Sequence, residues 1–342
     1  MAAYDAYAAF LAARLVHGTP HSHRPRVGRR AWSHTGSEAA SRRRPVARIR
    51  QSSETVKALV CSGMLVRPLI GEAADVASPR TSWSVYNKKE LATWQRCHET
   101  LRTDAQAYVP GAASRLVLIG DSITESWRGT SYGRAVPRTN GVPSVLSETL
   151  ATRWPAPLAL GIAADCTQHL LWRMAHGELS AAMKSGPRLI FVMLIGTNNL
   201  GRGHSVAETV RGIVACANHV LNATRGKLIV NAVLPRGDRR KRGPSRKRGT
   251  SFLPDIRHVN AGVNQNVSTS LSAAYPGRAH YVDCGSPFLL REGRALRATS
   301  LNQASGGELV DRTLMPDRLH PNAAGHRLWA RCLQSKLEAI DK

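Results

Sequence analysis

The chain has 342 residues, enough for one large domain or two small ones, and 42% of them are hydrophobic, so a sizeable core is available. No apolar run approaches the roughly 18 to 20 residues that span a bilayer, which excludes a transmembrane helix. The formal net charge of +25 is uneven: residues 1–60 hold eleven Lys or Arg against three acids, and residues 236–249 hold eight against Asp238. That distribution argues against one broad basic face for a polyanion. Six scattered cysteines without a C-x-x-C pair exclude a dense disulfide framework, and the expectation is free thiols in a reducing compartment. Neither the cysteines nor His169 and His176 have the spacing of a zinc site.

Residues 1–82 read as a basic, largely disordered leader after an opening helix-like stretch, Tyr4 to Leu15. No acid occurs between Asp5 and Glu38, and an Arg-rich, acid-poor leader suits either an organelle transit peptide or a tail without an address. The expected location is therefore intracellular, cytoplasmic or organellar. A single domain is expected over 83–342, with a basic insertion at 238–250.

The domain opens with a predicted helix from Lys88 to Thr103. Short apolar runs then alternate with helical stretches: Arg115 to Ile119, Leu158 to Leu160, Leu189 to Ile195, Lys227 to Leu234 and His280 to Val282. Runs that are apolar throughout fit parallel strands buried on both faces. Between them, Thr167 to Met183 and Ser205 to Thr224 have helical length and amphipathic spacing, and a last helix is expected from about Pro321 to Ile340. The pattern predicts an α/β fold, a three-layer α/β/α sandwich around a five-stranded parallel sheet.

In such a sheet, loops at the carboxyl ends of the strands converge on one edge. Four polar blocks fall there: Gly120-Asp121-Ser122 through Trp127, Gly161 through Asp165, Gly196-Thr197-Asn198-Asn199, and Asp317-Arg318-Leu319-His320. Ser122, at a strand-to-helix turn, is the candidate nucleophile, with His320 as its base and Asp317 to orient the imidazole. Taken singly, Ser122 could be an N-cap, and Asp317 with His320 could cap the last helix. Asn198 could donate to an oxyanion beside the Ser122 N–H. The G-x-S-x-G elbow of α/β-hydrolases is absent, as is a dinucleotide-binding glycine fingerprint.

These four blocks, in this order, resemble the SGNH (GDSL-like) hydrolases over about Arg115 to Leu337. Within that class the chain is similar to the catalytic subunits of intracellular platelet-activating-factor acetylhydrolase. The similarity rests on Asp165-Cys166-Thr167-Gln168-His169-Leu170-Leu171-Trp172-Arg173-Met174, Gly177-Glu178-Leu179, Gly196 to Asn199 and Leu234-Pro235-Arg236-Gly237. The resemblance implies a flavodoxin-like sheet and a serine esterase for short acyl esters, acetyl first, with no metal or other cofactor. It makes Ser122, Asp317 and His320 catalytic, and places the oxyanion donors at Ser122, Asn198 and Ala164. Ala164 stands where the family has glycine, a penalty if that position needs φ > 0. Asp121 and Asp165 are read as loop supports, Asp165 by accepting backbone hydrogen bonds.

The expected partner is a small acyl ester, of a lipid or an acetylated sugar; a homo-oligomer is compatible with the sequence. The run Arg239 to Arg248 could be a nuclear-localisation-like or polyanion-binding patch, or draw anionic substrates to the site rim, but a solvated loop is favoured, and the run lacks the interleaved aromatics of nucleic-acid binders. Two other readings are a non-catalytic polyanion-binding protein on a hydrolase scaffold, and an acyltransferase using the same serine.

Overall fold

The computed structural model describes residues 73–81, 88–109, 115–186, 188–238, 250–290 and 309–342. The leader through residue 72 and the basic run 239–249 lie outside the described residues. Five strands form one parallel sheet: β1 (Arg115–Gly120), β2 (Leu158–Gly161), β3 (Leu189–Leu194), β4 (Lys227–Asn231) and β5 (Ala279–Val282), in the order β2-β1-β3-β4-β5. That order is the flavodoxin-like one expected.

Leu116 to Ile119 of β1 and all of β3 are apolar because both faces are covered. Along β1, Leu116 and Leu118 enter one core, and Val117 and Ile119 the other; along β3, Phe191 and Met193 oppose Ile190 and Val192. One face packs under α1 (Lys88–Gln106), and after β1 the chain enters the short helix α2 (Ser122–Glu125). The opposite face takes α3 (Val142–Glu148). The first face also takes α4 (Thr167–Arg173). Beyond β3, α5 (Thr197–Gly201) leads to α6 (Val206–Ala223), which with α7 (Leu253–Asn266) completes that layer. The last helix, α8 (Ala323–Ile340), covers the second face with Trp329, Ala330, Leu333 and Leu337, one stripe at helical spacing. Each fully buried aliphatic side chain contributes about 1.5 to 3 kcal/mol, so the two cores dominate the stability of the domain.

Register brings the site together. Gly120 pairs with Gly161 of β2 and Leu194 of β3, so the loops after these three strands leave the sheet at one level.

Several expectations are corrected. The helix expected over Thr167 to Met183 is broken: a wider turn over Met174–Glu178 ends with Gly177 at φ 109, and Ser180 caps a separate turn, Ala181–Ser185. β4 ends at Asn231 instead of Leu234. The last helix starts at Ala323 with Asn322 as its cap, so Pro321 precedes it. α3 and α7 were not foreseen. Residues 73–81, grouped with the leader by composition, pack into the domain, with Ala74 and Arg80 buried. Cys284 and Cys332 form a disulfide, against the expectation of free thiols, because the fold brings positions 48 residues apart to a Cα separation of 5.8 Å. Cys97, Cys166 and Cys216 remain buried thiols. Among the described residues no helix is long and apolar enough to cross a membrane.

Candidate active site

Ser122 is the first residue of α2, and the helix cap is Asp121, whose Oδ1 accepts the Ile123 N–H at 3.0 Å. Ser122 is therefore not the cap, and as the first helical residue its N–H has no acceptor within the helix. Its Oγ lies 2.9 Å from Nε2 of His320, whose Nδ1 lies 2.6 Å from Asp317 Oδ2. The other Asp317 oxygen accepts the backbone N–H groups of Leu319 (3.0 Å) and His320 (2.7 Å). Partial burial works against ionisation of Asp317, but these bonds and the His320 ring hold its carboxyl well below the usual range. A fixed carboxylate on Nδ1 sets the tautomer in which Nε2 can accept the serine proton.

The turn that holds Ser122 depends on close approach. A Cβ at Gly161 would lie 2.5 Å from the Glu125 nitrogen and 2.6 Å from Asp121 O. Glu125, fully buried, binds both neighbouring segments: Oε1 accepts from Gly133 N (2.8 Å) and Thr130 Oγ1 (2.9 Å), and Oε2 from Ala163 N (2.7 Å). Sequence reading assigned Glu125 no role, although it lies inside the first block.

Ala164 has φ 62, the left-handed region. Among the described residues no acceptor takes its N–H, whereas its carbonyl accepts from Arg202 Nη2 at 3.2 Å. Asn198 bridges two loops: its Nδ2 donates to Asp165 O at 2.9 Å and lies 3.4 Å from Asp121 Oδ2. One amide hydrogen is thus anchored, and the other is only weakly held.

Asp165 braces this loop, but through side chains instead of the backbone amides expected. Oδ1 accepts from Trp94 Nε1 (2.8 Å) and Arg80 Nη2 (2.8 Å), and Oδ2 from Arg173 Nε (2.7 Å). Burial would raise its pKa, but the Arg173 and Arg80 guanidinium groups outweigh that and hold it low. Arg173 also binds Glu178 and donates to Gly120 O at 3.0 Å, tying the loop network to the end of β1. Among the described residues no guanidinium binds the Asp121 carboxylate, and burial pushes its pKa up to about 7.

The last loop is pinned to the one after β4, where Gly237 N donates to Arg318 O at 2.7 Å, and Arg318 itself has φ 68. Arg236 pairs with Asp238, lies over the Phe252 ring at 4.2 Å and donates to Thr197 O at 2.8 Å. Behind the turn, buried His326 packs edge-on against Trp127, with Nε2 3.3 Å from Ile123 O; burial pushes its pKa down to about 4. Among the described residues no group of three His, Cys, Asp or Glu could hold a metal ion.

The sequence candidates thus gather at the sheet edge in two hydrogen-bonded groups, Ser122–His320–Asp317 and Asp121–Asn198–Asp165, joined by the chain at Asp121-Ser122. Arg80, Arg173, Glu125 and His326 join this constellation without having been foreseen.

The profile of the GDSL-like Lipase/Acylhydrolase family matches residues 118–328. Platelet-activating factor acetylhydrolase IB subunit alpha1 of Rattus norvegicus is 32% identical over 268 residues, spanning 78% of this chain and 91% of the relative. The alpha2 subunit of Homo sapiens is 35% identical over 116 residues, 33% of this chain and 42% of that subunit. Among solved structures, a candidate acylhydrolase of Bacteroides fragilis superposes with a TM-score of 0.51 at 17% identity, over 77% of this chain and 100% of the other, a likeness of fold. The chain belongs to the GDSL-like lipase/acylhydrolase family, and with it to the carboxylic ester hydrolases.

Proposed function

We propose that the protein hydrolyses short acyl esters, acetyl esters first, through an acyl-Ser122 intermediate. The observation that carries this reading is the line of hydrogen bonds from Ser122 Oγ to His320 Nε2 and from His320 Nδ1 to Asp317. Ser122 Oγ attacks the ester carbonyl as its proton passes to His320 Nε2, and Asp317 stabilises the imidazolium. The oxyanion is met by the N–H groups of Ser122 and Ala164 and the second amide hydrogen of Asn198; one such donor is worth about 2.7 to 4 kcal/mol in the transition state. His320 then returns the proton to the leaving alcohol. Water, deprotonated by the same nitrogen, then attacks the acyl carbonyl, and His320 returns that proton to Ser122 Oγ as the acyl–oxygen bond breaks and the acid leaves.

The acetyl preference takes its support from the acetylhydrolase subunits to which the chain is similar. The alcohol, lipid or sugar, is a separate matter, because a fold hosts many substrates.

Hydrolysis of p-nitrophenyl acetate, butyrate and octanoate by the full chain, beside Ser122→Ala, tests the proposal. Turnover that favours acetate and falls by at least about 10⁴-fold in Ser122→Ala is the expected result. Turnover no faster than that of the folded Ser122→Ala chain on any ester overturns it.

A further inference from the structure

The segment 73–81 precedes the sheet and lies against the beginning of α4. Thr167 Oγ1 donates to Ala74 O at 2.6 Å, and Ser78 N donates to Gln168 O at 3.2 Å. At its end Arg80, 3% exposed, reaches the loop after β2. Its guanidinium has two duties there. One is the Asp165 carboxylate, bound through Nε (3.1 Å) and Nη2 (2.8 Å). The other is the carbonyl oxygen of Ala163, to which Nη2 also donates.

The second contact is the informative one. Ala163 O and Ala164 N–H belong to one peptide plane, and the described chain contains no cis bond, so they point in opposite directions. A donor that fixes Ala163 O therefore fixes the direction of the Ala164 N–H. A cation on the oxygen also draws charge through the amide and makes its N–H a stronger donor, by roughly 10 to 30% in condensed-phase estimates. Ala164 is in the left-handed region, where an alanine loop needs outside support, and the amide on the other side of Ala163 is already held by Glu125.

We infer that Arg80 is a positioning residue for catalysis, which aims and polarises the Ala164 N–H toward the oxyanion through Ala163 O. This rests on the proposed roles of Ser122 and Ala164. The carbonyl becomes an oxyanion only on the way to the transition state, so the contribution of Arg80 belongs to kcat and not to KM.

Kinetics of the full chain carrying Arg80→Ala, Arg80→Lys or Trp94→Phe, with p-nitrophenyl acetate, separate this role from simple support. Trp94→Phe removes a donor to Asp165 but keeps an aromatic ring under the Arg80 guanidinium, which lies 5.8 Å from the Trp94 ring, and leaves Ala163 O untouched, so it is the control for a weakened loop. Expected are a kcat about 10- to 100-fold lower in Arg80→Ala at unchanged KM, part of the 10²- to 10³-fold worth of one oxyanion donor. Millimolar guanidinium should recover at least about a fifth of that loss, by refilling the buried site, and Trp94→Phe should keep kcat within about threefold of wild type. Arg80→Lys keeps a charge beside Asp165 but lacks the planar fork, and should lose kcat as well; it stands in where Arg80→Ala does not fold. An active wild type with kcat within threefold in Arg80→Ala, or a loss matched by Trp94→Phe and untouched by guanidinium, overturns the inference alone. A wild type no faster than Ser122→Ala overturns the esterase reading and the inference together.

Discussion

Asp121 and His326 both press on the turn that carries Ser122, and burial drives each toward its neutral form, to pKa values of about 7 and about 4. The raised Asp121 contributes stability that is complete below the usual carboxylate range and lost as pH rises through about 7. The lowered His326 contributes stability that is complete above the usual imidazole value and lost as pH falls through about 4. Between these limits the slopes from these two groups oppose each other, so their contributions largely cancel in the wild type. Urea unfolding from pH 4 to 7 should expose each half: Asp121→Asn leaves a profile that falls toward acid, and His326→Gln one that falls toward pH 7. Profiles parallel to wild type would refute the opposition. Ala164 offers a second test. A left-handed alanine costs about 1 to 2 kcal/mol. Glycine there relieves that strain but loses about 0.4 to 1 kcal/mol to the freedom of the unfolded chain. Ala164→Gly should thus stabilise by about 0.5 to 1 kcal/mol in urea and keep its turnover, since the N–H remains. Asp317→Asn should lower kcat by about 10⁴-fold with little change in KM, by allowing the wrong imidazole tautomer.

At the scale of elements, the strands were legible because burial on both faces leaves a run of apolar residues, as in Leu116 to Ile119, that no helix pattern explains. Three of the four loops were legible for a related reason, since each follows such a run, whereas Asp317 to His320 lies 35 residues beyond β5 and just before the last helix. The helix over Thr167 to Met183 was misread because its apolar spacing continues across Gly177, where the backbone turns away. Arg80 was invisible, since its partners Ala163 and Asp165 are 83 and 85 residues away and nothing local marks it among the other arginines. Asp165 was read as a loop support that accepts backbone hydrogen bonds, whereas its donors are the side chains of Trp94, Arg80 and Arg173, which only tertiary structure brings near. The packing of β2 on α2 gives a test at this scale. Gly161→Ala would thrust a methyl group against Glu125 N and Asp121 O, both backbone atoms that cannot step aside. Such overpacking should cost about 1 to 3 kcal/mol in urea unfolding and lower kcat through the displaced turn. Full stability in this variant would mean that the two elements are less closely fitted than described.

Across the whole molecule, the Cys284–Cys332 disulfide joins the loop after β5 to the middle of α8. Closing a loop of 48 residues restricts the unfolded chain by up to about 4 kcal/mol on the chain-entropy model. Paired serine substitutions, or a reducing agent, should therefore lower Tm clearly, and an unchanged Tm would count against the bond forming in solution. The closed arc holds both Asp317 and His320. A protease that cuts once between Cys284 and Asp317 would thus leave the piece bearing these residues covalently attached to the piece bearing Ser122. Such a nicked protein would migrate as one species without reductant and as two with it.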